Sequence, residues 1–122
     1  MGTWGVGMPA ELLLAQFGKV LHDYFGEYAY QVGSSLKIRD WHDVDVRIIL
    51  DDYTYAFSGF GDPKNPQMNP RWIAVVMAFS ALGKQMTGLP IDFQIQQRTY
   101  ANTKYKGGPR SALIVPEHFI NC

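Results

Sequence analysis

The stretch Asp43-Val44-Asp45-Val46-Arg47-Ile48-Ile49-Leu50 carries two carboxylates at the period of a β-strand. With strand geometry, Val44, Val46, Ile48 and Leu50 point one way. Asp43 and Asp45 point the other, their Cβ atoms roughly 6–7 Å apart. No lysine stands between them to relieve the repulsion, so the pair asks for a cation. Arg47 shares their face and can pair with Asp45. A second stretch, Ile91-Asp92-Phe93-Gln94-Ile95-Gln96, turns Ile91, Phe93 and Ile95 to a core and Asp92, Gln94 and Gln96 outward. If the two strands share a sheet, Asp92 joins Asp43 and Asp45 on its open face. Three converging carboxylates repel unless divalent cations neutralise them, and all-oxygen ligands favour Mg2+ or Mn2+ over zinc. Upstream, Gly33-Ser34-Ser35 leaves a strand and opens a short helix. Its backbone N–H groups and hydroxyls can hold phosphate oxygens, with Lys37 and Arg39 as further phosphate ligands.

Each assignment has an ordinary counterpart. The three aspartates suit the wet face of an antiparallel sheet, and Gly33-Ser34 suits a plain turn and helix cap. Lys37 and Arg39 suit a solvated helix. His22, His42 and His118 lack metal-ligand spacing.

The elements that must position these residues follow from periodicity. Residues 1–8 are a Gly-rich lead-in. Leu13, Leu14, Phe17, Val20, Leu21, Tyr24 and Phe25 recur at helical spacing between Pro9 and a stop at Gly26. Tyr28–Val32 reads as a strand, and residues 36–42 as one or two helical turns. Beyond Leu50, Tyr53, Tyr55, Phe57 and Phe60 dissolve into glycines and prolines, which predicts a long lid or contact loop, its aromatics either packed in or stacked on a base. Asn69-Pro70 starts a helix that runs from Arg71 to about Thr87 and ends at Gly88. It is uncharged from Trp72 to Leu82, which suits a central core helix or a homo-oligomer contact through residues 71–87. Residues 98–122 read as a tail packed on the domain, with a short strand at Ala112–Val115.

At 122 residues and 47% hydrophobic, this is one globular domain. Acidic and basic residues cancel, which argues against an electrostatically driven binder of long nucleic acid. The charges are nonetheless segregated. Asp40, Asp43, Asp45, Asp51, Asp52 and Asp62 crowd the middle, while Arg98, Lys104, Lys106 and Arg110 follow without an acid between them. That pattern suits bound metal beside bound polyphosphate, and equally two mutually attracting faces. Cys122 alone gives no disulfide within the chain, and no basic, apolar start marks a signal peptide. No apolar run reaches the roughly 20 residues of a membrane span. The expectation is a cytoplasmic protein.

Gly33-Ser34, a short helical gap, Asp43-Val44-Asp45 and a later strand with Asp92 together resemble the nucleotidyltransferase fold related to DNA polymerase β. The likeness spans roughly residues 10–97 and is closest to small single-domain members, including bacteriophage-encoded ones and minimal ones paired with toxins. It implies an α+β fold, a small mixed sheet backed by helices on one face. It further implies Mg2+ (or Mn2+) held by Asp43, Asp45 and Asp92, with Asp92 helping to deprotonate an acceptor hydroxyl and Ser34 touching the β- and γ-phosphates of a nucleoside triphosphate. The activity implied is transfer of a nucleoside monophosphate, with release of pyrophosphate, to a protein, a small molecule or an RNA end. Only eight residues separate Ser34 from Asp43, fewer than in many relatives, and no separate acceptor domain follows. The alternative is an inactive or weakly active descendant, an interaction or antitoxin-like module that keeps nucleotide binding.

Overall fold

Helix α1, Met8–Phe25, ends where Gly26 takes φ +76° and donates its N–H to the His22 carbonyl at 2.8 Å. Only a residue without a Cβ adopts that left-handed turn cheaply, so the expected stop is where the helix ends. The computed structural model describes residues 8–32, 43–104 and 110–113. The helical turns expected over residues 36–42 lie outside them.

Strands β1 (Ala29–Val32) and β2 (Val44–Leu50) pair antiparallel. β2 pairs parallel with β3 (Ile91–Gln97). The described strands form a mixed sheet in the order β3-β2-β1-β4, with β4 (Arg110–Ala112) antiparallel to β1. The fold class is α+β. Register sets Val44, Val46 and Ile48 beside Ile91, Phe93 and Ile95, as their alternation requires, and all but Ile91 are at most 1% exposed.

Two helices cover that apolar face. From α1 come Leu14, Phe17 and Leu21; from α3 (Pro70–Thr87) come Trp72 and the partly buried Ile73, Val76 and Phe79. The side-chain oxygen of Asn69 accepts from the Trp72 N–H at 2.9 Å, and Gly88 closes the helix at φ +73°. The expected boundaries of α3 therefore hold. It backs the core on one side and leaves Ala74, Met77, Ala78 and Ala81 exposed on the other. No helix among the described residues is long and apolar enough to cross a membrane.

Three expectations are corrected. The segment after Leu50 is not all loop: Asp52–Phe57 forms helix α2, and Pro66–Met68 forms a 3-10 turn. Asp51 caps α2 by accepting from Thr54 N at 2.8 Å and Thr54 Oγ1 at 2.9 Å. Arg98–Lys104 is helix α4, and Asp52 caps it from α2 by accepting from the Thr99 N–H at 3.1 Å and from its hydroxyl. A strand lies at Arg110–Ala112, so Leu113 of the expected Ala112–Val115 falls outside it, while residues 114 and 115 lie outside the described residues.

Candidate active site

Parallel pairing places Asp45 opposite Asp92. Their neighbours Val44, Val46 and Phe93 are wholly buried, so the pleat turns both acids onto the other face, where their side chains are 27% and 43% exposed. Adjacent strands lie only about 4.8 Å apart, so two like charges face each other across that gap. The carboxyl of Asp45 is raised above the ordinary aspartate range. Burial is the main cause and Arg47 opposes it; the charge and hydrogen bond of Asp92 and the charge of Asp43 push the same way as burial.

Arg47, on the same face two residues after Asp45, is 14% exposed. Its Nη1 donates to the Asp92 carbonyl at 2.7 Å and to the Val46 carbonyl at 3.0 Å. Its Nη2 lies 3.6 Å from Asp92 Oδ2 and 3.8 Å from Asp45 Oδ1, close enough for attraction but too long for hydrogen bonds. The expected pairing with Asp45 is therefore part of a wider contact whose stronger half is on β3.

Asp43 sits exposed just before β2. Among the described residues no group of three or more His, Cys, Asp or Glu side chains is close enough to hold a metal ion. What the sheet gathers is the pair Asp45–Asp92. Mg2+ is commonly bound by one or two carboxylates while substrate phosphates and water complete its shell. The pair Asp45–Asp92 supplies the one or two carboxylates that such a shell needs, while Arg47 beside them offsets one of the two negative charges. Gly33, Ser34, Ser35, Lys37 and Arg39 lie outside the described residues. β1 ends at Val32, the register partner of Asp45 and one residue ahead of Gly33 in sequence. Arg110 on β4 takes the register position opposite Val32, in the same row as the acid pair.

Among the described residues, the other acids of the acidic centre do other work. Asp51 and Asp52 are the helix caps described above, and Asp62 accepts from the Lys64 N–H at 3.0 Å and from Asn65 at 3.2 Å. Asp51 is held below the ordinary range chiefly by the Thr54 backbone N–H, and Asp62 chiefly by that of Lys64. Arg98, from the basic end, lies 3.7 Å from Glu27. The expected aromatic cluster divides: Tyr55 and Phe60 are buried edge-to-face, while Tyr53 and Phe57 stack on each other in solvent, 76% and 80% exposed.

Two hollows matter. One of about 530 Å³ lies between Phe25, Leu50, Phe60 and Arg71, at the far end of β2 from the acids. A smaller one of about 180 Å³ follows β3 beyond Asp92, against Gln94 and Gln96. The chain matches no protein-family model, no curated protein and no solved structure.

Proposed function

We propose that this protein is a Mg2+-dependent nucleotidyltransferase that moves a nucleoside monophosphate from a nucleoside triphosphate to a hydroxyl acceptor and releases pyrophosphate. The observation that carries the reading is the register pair Asp45–Asp92 on the open face of the sheet. The likeness of Gly33-Ser34, Asp43-Val44-Asp45 and Asp92 to the DNA polymerase β-related fold supplies the reaction class.

In this reading Asp45 and Asp92 hold the cation, with Asp43 adding charge at its side. Bound Mg2+ supplies neutralisation of the triphosphate charge. Asp92, the more exposed of the pair, accepts the acceptor's hydroxyl proton. The freed oxygen bonds to the α-phosphorus, the bond from that phosphorus to the bridging oxygen breaks, and pyrophosphate leaves with the electron pair. Arg47 offsets part of the acid charge and ties Asp92 to β2.

Thermal-shift titration with each nucleoside triphosphate, with Mg2+ or Mn2+ and with EDTA, tests it. Stabilisation that needs metal and triphosphate together, is lost in Asp45→Asn, and is accompanied by pyrophosphate release with a cell lysate supports the enzyme. No metal-dependent shift with any triphosphate overturns it. The second reading, a non-catalytic interaction module, is favoured by Arg47, which already places one cation between the carboxylates. It predicts binding without pyrophosphate release.

A further inference from the structure

Resting on that reading, we infer that the hollow beside β3 is the nucleobase subsite, and that it selects the base through side-chain amides. On β3 the residues Asp92, Gln94 and Gln96 occupy alternate positions, stepping about 6.6 Å at a time along one face. The first belongs to the acid pair, and the next two line the hollow. A nucleotide whose α-phosphate lies at Asp92 has its sugar over the next step and its base beyond it. Arg47 is the register partner of Gln94, so the acid pair and the hollow are adjoining rows of one sheet.

The hollow's size and chemistry fit one ring system. At about 180 Å³ it is below the several hundred Å³ typical of sites for whole drug-sized ligands. Besides Gln94 and Gln96 its wall includes Gln67, Lys64 and Tyr100. A side-chain amide offers two donors and one acceptor, which matches the mixed donor and acceptor edge of a base. An aromatic ring offers a face for stacking. Trp72 closes the hollow from the core side, its Nε1 already donating to the Ile95 carbonyl at 2.9 Å. The wall is thus built from β3, from helix α4 that follows it directly, and from the turn before α3, which lies more distant in sequence.

Calorimetric titration of the full chain, with Mg2+ present, compares inorganic tripolyphosphate, the four nucleoside triphosphates and the four nucleosides. The inference expects at least one triphosphate to bind about tenfold or more tighter than tripolyphosphate. Gln94→Ala with Gln96→Ala should remove most of that advantage and leave tripolyphosphate affinity unchanged. Gln96→Glu, which keeps the shape but loses the donors, should change which base is preferred, and circular dichroism checks that each variant is folded. Triphosphates binding no tighter than tripolyphosphate, or a base preference that survives all three changes, overturns the inference; the metal–phosphate reading stands where tripolyphosphate itself binds with Mg2+ and falls where neither binds. Nucleosides that bind and are lost in the variants, with tripolyphosphate not binding at all, uphold the subsite and overturn the transferase reading.

Discussion

Arg47 holds Asp92 in two ways: it donates to the Asp92 backbone carbonyl at 2.7 Å and brings Nη2 within 3.6 Å of the carboxylate. One guanidinium thereby fastens β2 to β3 beside the row where Asp45 faces Asp92. Hydrogen bonds from a charged donor contribute about 1.5–3 kcal/mol each. Arg47→Met should therefore lower stability by roughly 2 kcal/mol in EDTA, measured by urea denaturation. Because the acids then lose their internal counter-charge, added Mg2+ should stabilise the variant more than the parent. An equal or smaller response would mean that Arg47 does not compete for the same carboxylates.

Asp45→Asn tests that row from the other side. An acid whose carboxyl is raised in the folded state favours folding fully below the ordinary aspartate value of 3.8, and that contribution is lost as pH rises through the raised value. At neutral pH the ionised side chain is thus a net cost, and asparagine removes it. The variant in EDTA should melt about 2–4 °C higher at pH 7, an advantage that shrinks towards zero below pH 4. A lower melting temperature at pH 7 would mark the carboxylate as structural.

The wild-type pH profile adds the opposite sign elsewhere. Asp51 and Asp62 are held low by the backbone N–H groups they cap, so their contribution is present above the ordinary aspartate value and lost as pH falls through their lowered ones. Acidification should release the strain at Asp45 and unfasten these turns together. Hydrogen exchange should therefore show α2 losing protection at a higher pH than β2.

The contrast explains what the sequence could and could not reveal. That Asp45 and Asp92 share the open face was legible because alternation fixes a strand's face once the two strands lie in one sheet, whereas their direct opposition was not, since a shift of two residues keeps every face. Helix α3 was legible because Asn69-Pro70 and Gly88 are local signals. Helix α2 was not: Tyr53, Tyr55 and Phe57 recur at a period of two, yet Tyr55 is buried and the other two stand in solvent. Helix α4 buries Ala101 wholly and takes its cap from Asp52, 47 positions before Thr99. No local window contains that partner. The Asp92 carbonyl as the anchor of Arg47, and the hollow beyond it, likewise depend on segments that meet only after folding.

Gly18→Ala offers a prediction whose sign decides the matter. In an exposed helix interior this change stabilises by about 1 kcal/mol. Here a Cβ would strike the Leu113 side chain and stand 2.7 Å from the Leu113 carbonyl oxygen. Leu113 has little room to retreat, since its own N–H donates to the Ala29 carbonyl at 2.8 Å. The variant should lose about 1–3 kcal/mol, with hydrogen exchange faster at residues 110–113 than elsewhere. A gain in stability would show that Leu113 does not pack against Gly18.

Asn69 joins the start of α3 to the turn that carries Lys64 and Gln67. Its side-chain oxygen caps Trp72 N at 2.9 Å, and its Nδ2 donates to the Gly59 carbonyl at 3.0 Å. A Cβ on Gly61, which sits at φ +74°, would come within 2.9 Å of that Nδ2, so the segment is closed around this one amide. Asn69→Ala removes both bonds and should cost about 1–2 kcal/mol by urea denaturation. Asn69→Ser keeps a capping oxygen and removes the Nδ2 donor, so it should cost roughly half as much. Exchange of the amides from residues 59 to 68 should speed up in both variants, while β1 and β2 stay protected. Equal costs for the two variants would place the whole effect in the bond to Gly59. A cost in Asn69→Ala alone would place it in the cap.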